Sequence, residues 1–143
     1  CKKTEVQPVS LLVPNLKTQW PLLRRTLHDY GICLGIETHT LRKLEMALEE
    51  AVVNIMSYSH ATEIELRISN EEIQNTNSEL RIMLTDDGIP FDPTKKEAAD
   101  TTLSVEERSI GGLGIHLVRQ IMDSVNYERV DGKNVLTLRK NLT

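Results

Sequence analysis

Residues 38–58 read THTLRKLEMALEEAVVNIMSY, and the distribution of polar groups round this segment decides the fold. With Leu48 at zero and 100° per residue, Leu41, Leu44, Ala51, Val52 and Ile55 fall within about 60° of it, a core-facing stripe. Thr38 or Thr40 can cap the helix. Arg42, Glu45 and Glu49 cluster at about 60–120°, as a solvated stripe should. Glu50 and Asn54 belong to neither stripe. Four residues apart, they share a second face with Met46, Ala47 and Val53. A carboxylate and an amide in partly apolar surroundings need a polar partner to offset their desolvation. Two readings follow. Either the side chains pair locally or face water, or a site is built over this face. In the second, Asn54 is a neutral oxygen ligand for a metal ion and Glu50 an acid, base or water-positioning group.

The segments on either side fit an α+β domain. Residues 5–14 (EVQPVSLLVP) are β-branched, apolar and bounded by prolines, and read as an edge strand. Residues 16–30 read as a helix with Asn15 as N-cap, Pro21 in its first turn and Gly31 just past its end. Residues 63–69 (EIELRIS) and 79–85 (ELRIMLT) alternate with period two, as half-exposed antiparallel strands do, and the polar link between them makes a hairpin. A short helix from about residue 114 to 122 precedes two closing runs, 125–130 and 135–138, which flank the turn Asp131-Gly132. This order implies a two-layer sandwich: a mixed or antiparallel sheet with helices on one face. The 143 residues are expected to form a single domain, 1–143.

Composition excludes classes rather than choosing one. Lys and Arg number 17 against 21 Asp and Glu, a formal charge of −4, and the pI is near 5.6. That balance argues against direct nucleic-acid binding, which leaves a basic footprint. One Trp, three Tyr and one Phe leave an aliphatic core and no stacking platform for single strands. Neither an apolar run of membrane-spanning length nor a secretory leader pattern is present in the chain as given, so a cytoplasmic location without membrane contact is expected. Cys1 and Cys33 cannot furnish a metal site alone, and Cys33, among apolar neighbours, is expected to be a buried core residue. His28 and His39 are expected at the surface.

Two glycine-containing segments remain. In DDGIPFDP (86–93), which begins where a strand ends, Asp86 could accept a hydrogen bond from an exocyclic amine, and Gly88 would let a flat base approach the backbone. Plain turn chemistry is the alternative. In GGLG (111–114), glycines opening a helix could present backbone N–H groups to a phosphate, or could simply be a flexible junction. A dinucleotide fingerprint does not fit, because no strand closely precedes and the third glycine is missing.

The order and spacing of LEEAVVN (48–54), DDGIPFDP (86–93) and RSIGGLGIHLVRQIMD (108–123), followed by DGKNVLTLRKNL (131–142), resemble the N, G1 and G2 boxes of the Bergerat, or histidine-kinase-like, ATPase fold. The similarity is greatest to the stand-alone bacterial anti-sigma-factor serine/threonine kinases, and it covers nearly the whole chain. By that resemblance Glu50 is the catalytic base and Asn54 the Mg2+ ligand. Asp86 and Gly88 bind adenine, Gly112 and Gly114 bind phosphate, and Arg108 is a lid arginine near the phosphates of ATP. The segment from about residue 93 to 109 would be the lid. The resemblance implies an ATP-dependent kinase that binds a sigma factor, phosphorylates a STAS-domain anti-anti-sigma protein and forms a homodimer. A non-catalytic ATP-binding regulatory module and an ATP-binding domain cut from a histidine kinase are the alternatives. The chain departs from the family pattern in Tyr58-Ser59-His60, where the order is exchanged, and at Asn134, which stands where a Thr is common.

Overall fold

The rows of apolar residues on alternate strand positions build one continuous inner face. A computed structural model describes residues 6–73, 77–95 and 110–142. The chain runs β1 (Val9–Pro14), α1 (Trp20–Leu34), α2 (Thr38–Tyr58), β2 (Glu63–Ile73), β3 (Asn77–Asp86), α3 (Ile110–Ile121), β4 (Ser124–Val130) and β5 (Lys133–Asn141), with single 3-10 turns at Lys17–Gln19 and Pro93–Lys95. The five strands are ordered β1-β2-β3-β5-β4, and every neighbouring pair is antiparallel. Ile64, Leu66 and Ile68 of β2, Leu80, Ile82 and Leu84 of β3, and Leu136 and Leu138 of β5 are all buried. Charged residues such as Glu63, Arg67 and Arg81 alternate with them onto the other face, as a one-sided antiparallel sheet requires. The α+β sandwich with helices on one face is the architecture expected.

α2 has the bounds expected, and its stripe of Leu41, Leu44, Leu48, Ala51, Val52 and Ile55 is the centre of the core. Ala47 and Asn54 are buried as well, because α2 packs against both α1 and α3. Glu45 departs from expectation. It is 8% exposed, because α1 lies over it: Glu45 Oε1 sits 3.3 Å from His28 Nδ1 and 3.7 Å from Arg24 Nε. A helical wheel cannot show that a neighbouring helix has covered a charged stripe. His28 and His39 are exposed as expected, whereas Cys33 is half-buried rather than in the core.

The helix ends also differ. Asn15 does not cap α1; its side chain donates to Ala61 O (2.8 Å) and its backbone N–H to Thr62 O (3.0 Å), joining the end of β1 to the start of β2. Gln19 is the N-cap of α1 and Glu37 that of α2, neither with a capping side-chain bond, so Thr38 and Thr40 cap nothing. Gly31 lies inside α1, and a Cβ there would meet Leu41 Cδ1 at 2.5 Å. Its role is therefore close passage of α1 over the start of α2. The helix ends one turn later at Gly35, with φ of 75°, the left-handed position that glycine supplies at little cost. In the β4–β5 turn both Asp131 and Gly132 have positive φ, 50° and 76°, as a two-residue hairpin turn demands.

One carboxylate clips the layers together at the mouth of the β2–β3 pair. Asp87 Oδ1 accepts the N–H groups of Thr62 (2.8 Å) and Glu63 (3.2 Å), and Oδ2 accepts the Thr62 hydroxyl. The Thr62 hydroxyl, followed by these two amides, lowers the Asp87 carboxyl from 3.8 to about 2. A depressed carboxylate contributes stability above its unfolded value and loses it as pH falls through the folded one. Thr62→Ala should therefore raise the Asp87 titration, followed by NMR, part of the way toward 3.8, the two amides still holding it down. It should also move acid-induced loosening of this clip to higher pH.

Candidate functional site

The site grows from two places where polar residues occupy positions that the core pattern would give to apolar ones. The first is the end of β3. The inward row of Leu80, Ile82 and Leu84 continues one step further to Asp86, which is 2% exposed. Directly opposite in register on β5 stands Asn134, 3% exposed. A buried carboxylate must be hydrogen-bonded to be tolerated. Asp86 Oδ1 accepts the Gly88 N–H (2.9 Å) and the Asn134 side-chain amide (3.0 Å).

Gly88 has a packing requirement of its own, apart from any approach of a base. A Cβ there would lie 2.1 Å from the Ser59 carbonyl oxygen and 2.8 Å from its carbon. The loop after β3 is pressed onto the C-terminal end of α2, where Ile89 donates to Ser59 O (2.8 Å). α2 is closed there by Ser59, whose hydroxyl donates to Ile55 O (2.8 Å), and by His60 in the left-handed region at φ 55°. Tyr58 and Phe91 add a tilted ring contact at 5.6 Å across the same junction.

The second place is Asn54, fully buried on α2. Its side-chain amide donates to Glu50 O (2.8 Å), while its Oδ1 has no hydrogen-bond partner among the described residues. A buried amide oxygen without a donor costs about 1–3 kcal/mol unless something else occupies it. A hard cation such as Mg2+, which takes oxygen ligands and keeps water and phosphate in its shell, fits that oxygen. Glu50, one turn earlier, is half-buried, and its carboxyl is raised above the usual glutamate range, first by burial and then by the neighbouring Glu49 charge. Ser59 is five residues beyond Asn54, about 7.5 Å along the axis. Gly88 and the Asn54 oxygen are thus tied to one rigid helix.

The glycine-rich segment begins its helix earlier than expected. α3 starts at Ile110, so Gly112 lies within its first turn rather than ahead of it, and Gly114 lies one turn in rather than at its start. Packing of Ile115 and Val118 into the core outweighs the roughly 1 kcal/mol that each helical glycine costs. Gly112 falls among the opening residues whose N–H groups lack intrahelical acceptors, whereas Gly114 falls beyond them. Arg108 and all but the first residues of the expected lid lie outside the described residues.

Sequence reasoning marks Asn134 only as a departure from the family pattern, and the structure gives it a central place. Its Nδ2 donates to Asp86 Oδ1 and to Ile89 O (2.7 Å), and its Oδ1 accepts Phe91 N–H (3.1 Å), Arg129 (3.1 Å) and the Tyr127 hydroxyl. A signal for this role exists in the chain: a polar residue stands where the inward row of β5 should begin, in register with Asp86.

Comparison with known proteins accords with this arrangement. A model of the histidine kinase-like ATPase domain matches residues 13–140. The chain belongs to that family. Its relatives include the serine/threonine-protein kinase BtrW of Bordetella bronchiseptica, 31% identical over 99 residues, 66% of each chain. The serine-protein kinase RsbW of Staphylococcus aureus is 24% identical over 131 residues, covering 89% of this chain and 82% of its own. Among solved structures, the RsbU and RsbW domains of Rv1364c from Mycobacterium tuberculosis superpose with a TM-score of 0.60 at 12% identity, over 94% of this chain and 32% of that one. The SiaB–SiaC complex from Pseudomonas aeruginosa gives 0.52 at 12% identity, over 93% of this chain and 89% of that one. At such identity these two show the fold alone.

Because the atom that a Gly88 Cβ would strike is backbone, it cannot swing aside. Gly88→Ala should cost about 3 kcal/mol or more in denaturant unfolding and should release the loop from Ser59. Gly132→Ala, with positive φ but nothing within 4 Å of the new Cβ, should cost only about 1 kcal/mol.

Proposed function

We propose that this chain is an ATP-dependent serine/threonine protein kinase that also serves as an anti-sigma factor. The observation that carries the proposal is the buried, unpartnered Asn54 oxygen one helical turn from a carboxylate of raised proton affinity, in a chain whose relatives are named protein kinases. In this reading Asn54 Oδ1 would hold Mg2+, which would supply charge neutralisation to the bound phosphates. Asp86 accepts the exocyclic amine of adenine, beside the Gly88 backbone. Gly112 and Gly114 lie along the phosphates, with Arg108 approaching from the lid.

Phosphoryl transfer depends chiefly on positioning and charge neutralisation. The hydroxyl oxygen of a partner serine or threonine bonds to the γ-phosphorus, and the bond from that phosphorus to the β–γ bridging oxygen breaks. ADP leaves with the electron pair. Glu50 takes the hydroxyl proton, a role that requires its carboxylate form. The proposed protein substrate is a STAS-domain anti-anti-sigma protein, and the proposed second partner is a sigma factor. A homodimer in the cytoplasm, without direct contact to nucleic acid, completes the proposal. No helix among the described residues is long and apolar enough to cross a membrane.

The test combines labelled ATP, Mg2+ and a candidate STAS partner. Transfer to a partner serine or threonine is expected, with Glu50→Gln losing at least about a hundredfold in rate while still binding ATP. Asn54→Ala should lose the Mg2+-dependent part of ATP affinity, and unchanged affinity would overturn the metal assignment. Tight binding without transfer to any partner would instead indicate a regulatory module. In the nucleotide-free protein the Glu50 carboxyl, followed by NMR, should titrate above the ordinary glutamate range, because burial and then the Glu49 charge raise it.

A further inference from the structure

We infer that Tyr127 and Arg129 of β4 are positioning residues that set purine specificity by fixing the orientation of the Asn134 amide. The inference rests on the nucleotide-site reading of Asp86. An Asn amide can present either its oxygen or its NH2 to a given neighbour, so its neighbours decide which way it points. At the oxygen end of Asn134 stand the Phe91 N–H and the Arg129 guanidinium, which can only donate, and the Tyr127 hydroxyl. At the other end stand the Ile89 carbonyl, which can only accept, and the Asp86 carboxylate. Both amide protons are committed, and the oxygen is saturated.

The consequence lies at Asp86. With the Asn134 NH2 and the Gly88 N–H both on Oδ1, that oxygen is occupied by donors, and the carboxyl group is fixed in rotation. What it offers a base is acceptor character. An exocyclic amine, as on C6 of adenine, satisfies such a group. A carbonyl at C6 brings acceptor against acceptor and leaves both unpaired, which is the strongest form of discrimination available to a polar site. Arg129 reinforces the arrangement by also donating to Gly88 O (2.7 Å). Tyr127 and Arg129 occupy alternate positions of β4, Arg129 directly paired in register with Asn134, so one strand face supplies both donors.

Removing those donors leaves the Asn134 oxygen with the Phe91 N–H alone, which loosens the amide and with it the fixed acceptor at Asp86, so that a C6 carbonyl is rejected less strongly. The probe pair is ATP and inosine triphosphate, which differ at C6 in presenting amine or carbonyl. Dissociation constants for both are measured by calorimetry with Mg2+ for the parent chain, Arg129→Met, Tyr127→Phe and the double variant. The expected result is a parent strongly selective for ATP and a double variant whose selectivity falls at least about tenfold, partly through tighter inosine triphosphate binding. Arg129 is exposed, so its single variant keeps the test available if the double variant does not fold. Equal losses for both nucleotides, or an unchanged ratio accompanied by a lower Tm, would overturn the inference and leave the nucleotide site standing. A folded parent that bound neither nucleotide would overturn the site reading and the inference with it.

Discussion

A carboxylate placed on the core face of a sheet is the constraint from which the rest of this molecule follows. Asp86 extends the inward row of β3 past Leu84 to a position 2% exposed, where an unpaired charge would be prohibitively costly. Its acceptance there depends on Asn134, directly across the β3–β5 ladder, and on the Gly88 amide turning back beneath it. Both donors require close geometry. The β4–β5 hairpin must therefore keep its register, which the two positive-φ residues of its tight turn enforce. The chain after β3 must turn at once, which brings Gly88 onto the end of α2.

That turn couples two sites that would otherwise be independent. The Ser59 carbonyl receives Ile89 and leaves no room for a side chain at residue 88. α2 is in turn held by Leu44, Leu48, Ala51 and Val52, each fully buried. The strand end carrying Asp86 and the helical turn carrying Glu50 and Asn54 are thereby referenced to one rigid body. Loops that carry binding groups are usually the least constrained part of a fold. Here the start of the loop is clamped twice, by Asp87 on Thr62 and by Ile89 on Ser59.

Period and spacing make the elements legible, and contact between elements makes their limits illegible. The bounds of α2 and its core stripe can be read because they depend on one helix and one neighbouring sheet. Glu45 cannot, since its burial comes from Arg24 and His28 on α1. Gly31 misleads for a similar reason: a glycine at a helix end and a glycine at a helix crossing look alike until Leu41 is in place. Asp86, Gly88, Glu50 and Asn54 stand out because each breaks a local pattern. Asn134 breaks one too, but its meaning depends on a register between strands far apart in the chain, which alternation within one strand cannot supply.

The two partly or wholly buried glutamates of α2 show how position on one helix sets the surroundings of a carboxylate. Glu45 faces α1, where a guanidinium and an imidazole lie within ion-pairing distance. Both groups belong to α1, so Glu45 lies in the contact between two helices. Glu50, five residues on, faces the opposite way. Burial and the adjacent Glu49 both disfavour its ionised form, and its neighbour Asn54 is neutral and offers it a backbone contact only. A carboxylate left without a compensating cation binds a proton more readily than one in an ion pair. In the proposed reading, that is the property asked of a group that receives a proton from a hydroxyl.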